Sequence, residues 1–464
     1  MTEGTKPHLK FLDATLYTVV MNTGLRWLPV AAAVGAASFS LWTLALIAFF
    51  VPLAAATAEL TERFKGEGGL YLWTRETFGP LAGFLCGWFY WFALMPYFAG
   101  ILYFLSGLAM AALGLDPRDK TLYLAFSLGL GAFVTAFQFL GLGFNKWLTN
   151  FGAAGSWLIF IMLAAIAVVF ALHGRSATNF ALSSYFPKPD FNTAILWGTI
   201  VFAYSGIEAV GFLRNEIVGG MRAVVRVLAI TGVALAVLYI VGTAAMLVIL
   251  PAEQMSRLGG FGDTLHAVFA RAGLPGAAGV ALAFLAIAQL GGFTAWFGAG
   301  ARLPLAAGID HFLPAAFGRR DPRTGAPSAA ILLTGALMLA FVVLGQAGAT
   351  AAVAYDFLVS MSVLTNTICY VFVFAAYWKW SRAPALPGAW RPPGGARTSA
   401  ILAAMGQAAT LIAIACTLVP GADDANPMAT FLKIALSTLA MLVVGLVLYW
   451  LGTRRAAAHQ GALS

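Results

Sequence analysis

Two apolar segments of the sequence are interrupted by residues that form helices poorly. The first reads LYTVVMNTGLRWLPVAAAVG, with residues 22–24 (NTG) near its centre and Pro29 shortly after. The second reads ILWGTIVFAYSGIEAVGFL, with residues 205–206 (SG) at its centre and Glu208 directly after. Gly is costly in a helix and Pro removes a backbone hydrogen bond, so both segments are predicted to break. A broken helix frees N–H groups that attract a carboxylate and carbonyls that accept from an ammonium, the two groups of a small zwitterion.

Three charged residues fall inside apolar segments: Arg26, Glu208 and Asp356. A charge at mid-membrane costs roughly 2.5–3.5 kcal/mol on insertion scales, so it is expected to face the protein interior with a partner or a function. One interpretation is that Arg26 pairs permanently with Glu208 or Asp356 and locks helices together. The other is that Arg26 lines a vestibule while Glu208 changes its protonation during a transport cycle. Asp13 and Glu59 lie near segment ends and are predicted to be solvated.

The composition limits the class of protein. Of 464 residues, 61% are hydrophobic and 10% are charged, whereas soluble domains carry about 25% charged residues. This low content of charged residues excludes a soluble enzyme. The polar intervals are too short for an aqueous domain and no phosphate-binding loop occurs, which excludes an ATP-driven pump with its motor in the same chain. The net charge of +9 is attributed to basic loops beside anionic lipid rather than to nucleic-acid binding. The 50 glycines predict close helix packing.

The hydropathy pattern predicts an all-α polytopic membrane protein with twelve transmembrane helices. An even number places both termini on one side, and Lys and Arg concentrate in the loops of that side, so both termini are predicted to be cytoplasmic in the cell (inner or plasma) membrane. The predicted spans lie near residues 12–36, 39–60, 79–113, 120–142, 149–173, 193–213, 223–250, 274–301, 328–345, 350–378, 398–419 and 428–452.

Other reactive residues give little indication of chemistry. The three cysteines (Cys86, Cys369 and Cys416) lie in apolar segments and are predicted to be buried hydrophobic residues. The histidines at 173, 266 and 311 lie in predicted loops without clustering, so no metal site is expected, and Asp423-Asp424 is predicted to be a solvated turn. A membrane-embedded enzyme would need clustered acidic residues or histidines at an interface, which the sequence lacks. Residues 62–79 predict an interfacial amphipathic loop.

Four motifs in order resemble those of the amino acid–polyamine–organocation permeases. They are GLRWLP (24–29), AEL…GGLYLW…FGPLAGF…GW (58–88), FAYSGIEA (202–209) and RLPLAAGIDHFLP…GAP (302–327), and the resemblance covers spans 1 to 10. It implies a LeuT-like 5+5 inverted repeat plus two C-terminal helices. The implied units are an N-terminal tail (1–11), a first repeat (12–173), an outer loop (174–192), a second repeat (193–378), a cytoplasmic linker (379–397), spans 11–12 (398–452) and a C-terminal tail (453–464).

The resemblance also implies a substrate site. The substrate carboxylate would meet the N–H groups of Thr23 and Gly24, and the ammonium would meet the carbonyls of Val20, Phe202 and Ser205. Phe202 matches the family's aromatic lid. The implied substrate-binding residues are Val20, Asn22, Thr23, Gly24, Tyr90, Phe202, Ser205, Gly206, Ile207 and Trp296, with Arg26, Glu208 and Asp356 in gating or coupling.

The function implied by the resemblance is secondary active transport of amino acids by alternating access, with a small molecule and the lipid bilayer as partners. A polyamine or organocation transporter on the same fold is the alternative, which Arg26 would disfavour by repelling a polycation. Two positions depart from the family pattern, since Asn22 replaces a glycine and Arg26 an aromatic residue. No cofactor is expected. Span 5 lacks the lysine that some proton-coupled relatives have. Span 8 offers only Thr294 as a hydroxyl that could bind sodium. Transport coupled to protons, or not coupled to any ion, is favoured over transport coupled to sodium.

Overall fold

The computed structural model describes most of the chain. The described residues are 10–64, 66, 68–140, 142–188, 190–214, 217–306, 309, 312–313, 327–346, 350–386, 388–418 and 426–461. His311 and Asp423-Asp424 lie outside them, as does most of the motif at 302–327.

The described chain contains seventeen α-helices. A π-helical stretch, Leu46–Phe50, joins α3 to α4, and a 3₁₀-helix, Ile207–Leu213, follows α10. The α-helices are α1 (Phe11–Asn22), α2 (Trp27–Ala32), α3 (Ala37–Ala45), α4 (Val51–Arg63), α5 (Gly69–Phe78), α6 (Pro80–Phe92), α7 (Leu94–Ala112), α8 (Lys120–Phe137), α9 (Leu142–Leu172), α10 (Phe191–Ala203), α11 (Gly220–Ile249), α12 (Gly260–Arg271), α13 (Ala277–Ala306), α14 (Ser328–Gln346), α15 (Ala351–Ser381), α16 (Ala396–Thr417) and α17 (Pro427–Gly461).

The predicted all-α membrane fold is confirmed. Within the described ranges, eleven helical segments are long and apolar enough to cross a membrane, with α3–α4 and α6–α7 each forming one segment. The first predicted span is not among them, because α1 and α2 have only 12 and 6 residues and a membrane helix needs about 20. The total of twelve spans and the inverted repeat therefore stay predictions.

One segment prediction is wrong. Residues 62–79 are not simply an interfacial loop, because α5 occupies most of them and buries Leu70, Tyr71 and Trp73 almost completely. The mixture of charged and apolar residues that suggested a loop at the membrane interface is instead that of a short helix with one face packed on the protein. At the other end of the chain, α17 continues through Gly461, into the segment predicted to be a cytoplasmic tail, and that domain boundary stays a prediction.

The predicted solvation of Glu59 is also wrong. Its side chain is only 10% exposed and its Oε2 lies 3.3 Å from Nε of Arg391 in the linker. Tyr377 of α15 donates to its Oε1 at 2.9 Å, and Ser399 of α16 also donates to it. A charge close to a helix end can thus be covered by a loop that folds back over it. Asp13, by contrast, is exposed, as predicted.

Close helix contacts at glycines bring α9 against α13. A Cβ atom on Gly291 would lie 2.3 Å from the carbonyl oxygen of Leu148, and one on Gly152 would lie 2.4 Å from that of Ala288. Backbone atoms cannot give way as a flexible side chain can, so only glycine fits at this crossing. This agrees with the packing predicted from the glycine content, and it places both helices beside the interruption of the first segment.

Candidate functional site

The first segment breaks between α1 and α2, as predicted; residues 23–26 are called the first break. Thr23 leaves the helical conformation with φ −73° and ψ 107°. Side chains satisfy carbonyls of the preceding turn, because Asn22 Nδ2 donates to Thr18 O and Thr23 Oγ1 donates to Val19 O, both at 2.8 Å. The polar side chains at 22 and 23 therefore help to end the helix where the family has glycine and serine.

The second segment breaks after Ala203, also as predicted; residues 204–206 are called the second break. Gly206 has a φ of +96°, the left-handed region that favours glycine, and the chain continues as the 3₁₀-helix. Ser205 Oγ donates to Phe202 O at 2.7 Å. A Cβ on Gly206 would lie 2.6 Å from Asn22 Oδ1, so the two breaks touch each other.

A tyrosine of α11 links the two breaks. The Tyr239 hydroxyl oxygen lies 3.1 Å from the carbonyl oxygen of Asn22 and 3.0 Å from that of Ala203, the last residues of α1 and α10. Its ring stacks on Trp42 with centroids 4.2 Å apart. Sequence reasoning missed Tyr239. The available signal was a phenol in the middle of a long apolar helix, where a buried hydroxyl usually has a polar partner.

A cavity of about 60 Å³, here called the central cavity, lies between the breaks. Aromatic rings close over it, with Phe202 packed edge-on against Trp27 at 5.7 Å and tilted against Tyr97 at 5.5 Å. Trp296 Nε1 donates to Met21 O at 2.6 Å and fixes the wall formed by α13. The predicted site residues that line it are Asn22, Thr23, Gly24, Tyr90, Phe202, Ser205, Gly206, Glu208 and Trp296.

Glu208 lies at one end of the central cavity and is fully buried. Its Oε1 accepts from the Tyr370 hydroxyl at 2.8 Å and its Oε2 from the Gly206 N–H at 3.0 Å, and Tyr90 lines the same cavity. Asn366, one turn before Tyr370 on α15, donates to Ser205 Oγ at 3.1 Å. Neither α15 residue was predicted to belong to the site, because both lie far along the chain in an otherwise buried helix.

Arg26 lies on the other side of the first break, in a second cavity. Its side chain is buried, with its Cζ 4.0 Å from the ring centroid of Trp27 and 4.4 Å from that of Tyr97. Within the described chain, it forms no ion pair with Glu208 or Asp356, so the interpretation of a permanent helix-locking pair is wrong. Asp356 instead pairs with Arg257 at 3.0 Å.

The remaining predicted residues lie around the breaks rather than in the central cavity. Val20 lines the cavity of Arg26, and its carbonyl accepts from the Thr23 N–H at 3.3 Å. Ile207 is fully buried in the hydrophobic core. The Thr294 hydroxyl donates to Gly291 O at 2.8 Å. The described residues contain no group of three or more side chains placed to hold a metal ion.

Comparison with known proteins assigns this architecture to a family. The family profile described as Amino acid permease matches residues 9–447. The chain belongs to the amino acid permease family. Its members and relatives are transporters, so this permease is a multi-pass membrane transporter of a small molecule and not an enzyme.

Individual relatives of the permease are distant but cover nearly all of it. A probable agmatine/putrescine antiporter of Lactococcus lactis is 23% identical, over 90% of this chain and 89% of its own. A glutamate/gamma-aminobutyrate antiporter of the same organism is 23% identical, over 88% and 83%. The crystal structure of the Eremococcus coleocola manganese transporter, in complex with an aromatic bis-isothiourea substituted compound, superposes with a TM-score of 0.55 at 13% identity, covering 96% and 94%. That likeness shows the fold.

Proposed function

We propose that the protein is a secondary active transporter of amino acids that binds the zwitterion between its two broken helices. The observation that carries this proposal is the central cavity, which both breaks line and which the Tyr239 hydroxyl holds together. Breaks in two facing helices are the arrangement by which many transporters expose backbone dipoles to a substrate at the bilayer midplane.

The polarity of the cavity fits a zwitterion. The ammonium group of the bound amino acid would lie at the second break, near Ser205 and the buried oxygen atoms of Glu208. Its carboxylate would approach the N–H groups of Thr23 and Gly24. The bond from the Thr23 N–H to Val20 O is long at 3.3 Å, compared with about 2.9–3.0 Å for most such bonds, so a charged acceptor could replace it.

Alternating access would use the two sides of this cavity. Trp27, Tyr97 and Phe202 cover it on the side of α2 and α10. On the side of α1 and the 3₁₀-helix, an apolar cavity of about 230 Å³ is lined by residues that include Tyr17, Val210 and Leu303. With the termini in the cytoplasm of a cell-membrane protein, as we propose, this second space would be the route to the cytosol.

The alternative function is transport of a polyamine or organocation. Two observations favour it. In the described residues, no basic side chain pairs with the carboxyl group of Glu208, and one relative is named as a probable agmatine/putrescine antiporter. It is opposed by Arg26, whose buried charge would repel a polycation in a medium of low dielectric constant. The relative named as a glutamate/gamma-aminobutyrate antiporter favours substrates with a carboxylate.

Counterflow in liposomes tests the proposal. Purified protein would be placed in liposomes that contain one unlabelled compound, and entry of the same labelled compound would be followed with and without a proton or a sodium gradient. We expect counterflow of amino acids without a requirement for sodium. Counterflow of putrescine or agmatine, with none for any amino acid, would replace the proposed function with the alternative.

The substitution Glu208→Gln is expected to lower transport and to remove its dependence on pH. The amide has one acceptor oxygen where the carboxylate has two, while the Gly206 N–H and the Tyr370 hydroxyl both donate there. A lost acceptor for a buried donor costs about 1–3 kcal/mol, so we expect a decrease of about tenfold or more in the initial rate. The rate would be measured in liposomes from acidic to neutral external pH.

The matched control is Glu253→Gln, at an exposed glutamate in the 3₁₀-helix Ala252–Gln254, which should leave transport unchanged. If Glu208→Gln kept both the full rate and the pH dependence of the unsubstituted protein, Glu208 would have no part in coupling.

A further inference from the structure

A second polar cavity lies beside the first break, on the side of α7, α9 and α13. It measures about 70 Å³ and is here called the lateral cavity. Its polar lining includes Arg26, Ser156 of α9 and Gln289 of α13. Ser156 Oγ lies 2.8 Å from Gln289 Oε1, which fixes the Gln289 amide against α9. Among the residues that the structure describes, no acidic side chain lines this cavity.

The Arg26 guanidinium is buried in this lateral cavity without a compensating anion. The residue is 4% exposed, and neither Nη1 nor Nη2 has a hydrogen-bond partner among the residues that the structure describes. The rings of Trp27 and Tyr97 attract the charge, and the Tyr97 hydroxyl is a neutral neighbour, so neither residue supplies a compensating negative charge. Burying an ion costs several kcal/mol unless a charged, hydrogen-bonded partner offsets the cost.

The backbone beside Arg26 leaves room for the guanidinium. A Cβ on Gly100 of α7 would lie 3.3 Å from Arg26 Nη1, so glycine leaves room for the group where a larger residue would press on it. The lateral cavity shares Thr23, Gly24, Tyr97 and Trp296 with the central cavity. A substrate bound at the breaks could therefore extend a side chain from one cavity into the other.

We infer that Arg26 binds a second carboxylate, on the side chain of the substrate, and that the protein selects acidic amino acids. This inference rests on the proposed function, because it assumes that the α-amino and α-carboxylate groups lie at the breaks. A carboxylate is the planar anion that a guanidinium binds with two parallel hydrogen bonds, and it would satisfy both Nη atoms at once.

Competition in the liposome assay tests the inference on the unsubstituted protein. Glutamate and aspartate are each compared with glutamine and asparagine, which have nearly the same shape without the side-chain charge. We expect each acidic amino acid to compete at least about tenfold better than its amide. Equal competition by acid and amide would overturn the inference and leave the proposed function standing, whereas counterflow of diamines alone would overturn both. Removing chloride, with sucrose added to keep the osmolarity, should not alter the preference. Loss of the preference without chloride would indicate a site for a free anion instead.

Two substitutions test the role of Arg26 itself. Arg26→Gln should weaken competition by the acidic amino acid by about 100-fold or more, because it removes the charged partner of a buried pair, while competition by the amide changes little. Arg26→Lys keeps the positive charge but lacks the planar guanidinium that can form two parallel hydrogen bonds. This variant should therefore show part of the preference for the acidic amino acid that Arg26→Gln loses. Arg226→Gln, at an exposed arginine of α11, is the matched control and should change nothing. An undiminished acidic preference in Arg26→Gln would contradict the inference.

Discussion

Gly206→Ala is expected to abolish most transport while leaving a protein that still folds in the membrane. The residue has a φ of +96°, a conformation that costs an L-amino acid about 1–2 kcal/mol. The added methyl group would also lie 2.6 Å from Asn22 Oδ1, so the Asn22 side chain would have to shift from its place between the two breaks. Since the proposed site depends on their contact, we expect the initial rate of amino acid counterflow to fall by about tenfold or more.

The control for this prediction is Gly114→Ala, in the turn between α7 and α8. Gly114 has a similar left-handed conformation, with φ +67°, but a Cβ there would meet no atom within 4 Å. It should show the conformational cost as a lower melting temperature without a loss of transport. If both variants transported equally well, contact between the breaks would not matter for function.

Tyr239→Phe is expected to give the second large effect. The change removes the hydroxyl that lies within 3.1 Å of the carbonyl oxygens of Asn22 and Ala203, and so leaves both without this donor. A buried acceptor without its partner costs about 1–3 kcal/mol, so we expect a lower melting temperature and a decrease of about tenfold in the counterflow rate. Both would be measured on the same preparation, the first in detergent and the second in liposomes.

Tyr103→Phe separates loss of stability from loss of function. The Tyr103 hydroxyl donates to the backbone oxygen of Val342 at 3.1 Å, and the residue is buried between α7 and α14. This variant should lose a similar amount of stability and keep its transport rate. A Tyr239→Phe protein that is destabilised no more than Tyr103→Phe and transports at the full rate would show that the hydroxyl is only structural.

The positions of the breaks could be predicted because they follow from local chemistry. Glycine in the interior of a helix and proline beyond its first turn are unfavourable, so residues 22–24, with Pro29 after them, and residues 205–206 indicated the interruptions without any knowledge of packing. The same reasoning identified Glu208 and Arg26 as charges of interest, because the cost of a charge in an apolar segment is also a local property.

The partners of those residues could not be predicted, because helix packing determines them. Tyr239 lies more than 30 residues after the second break, and Tyr370 more than 150, yet they bond to Ala203 and Glu208, which flank it. Arg26 was expected to pair with an acid if it had a structural role; instead it lies between two aromatic rings that come from α2 and α7. Glu59 was assigned to solvent because the fold of the linker over it is not encoded in its own helix.

A structure of the protein with a bound amino acid, determined by electron cryo-microscopy in a lipid disc, is the most direct measurement. The amino acid that competes best in liposomes would be added at saturating concentration. Our account predicts ligand density between Thr23-Gly24 and Ser205-Gly206, with the amino group toward Glu208 and any side-chain carboxylate toward Arg26. Density confined to the apolar cavity near Tyr17 and Leu303, with nothing between the breaks, would contradict it.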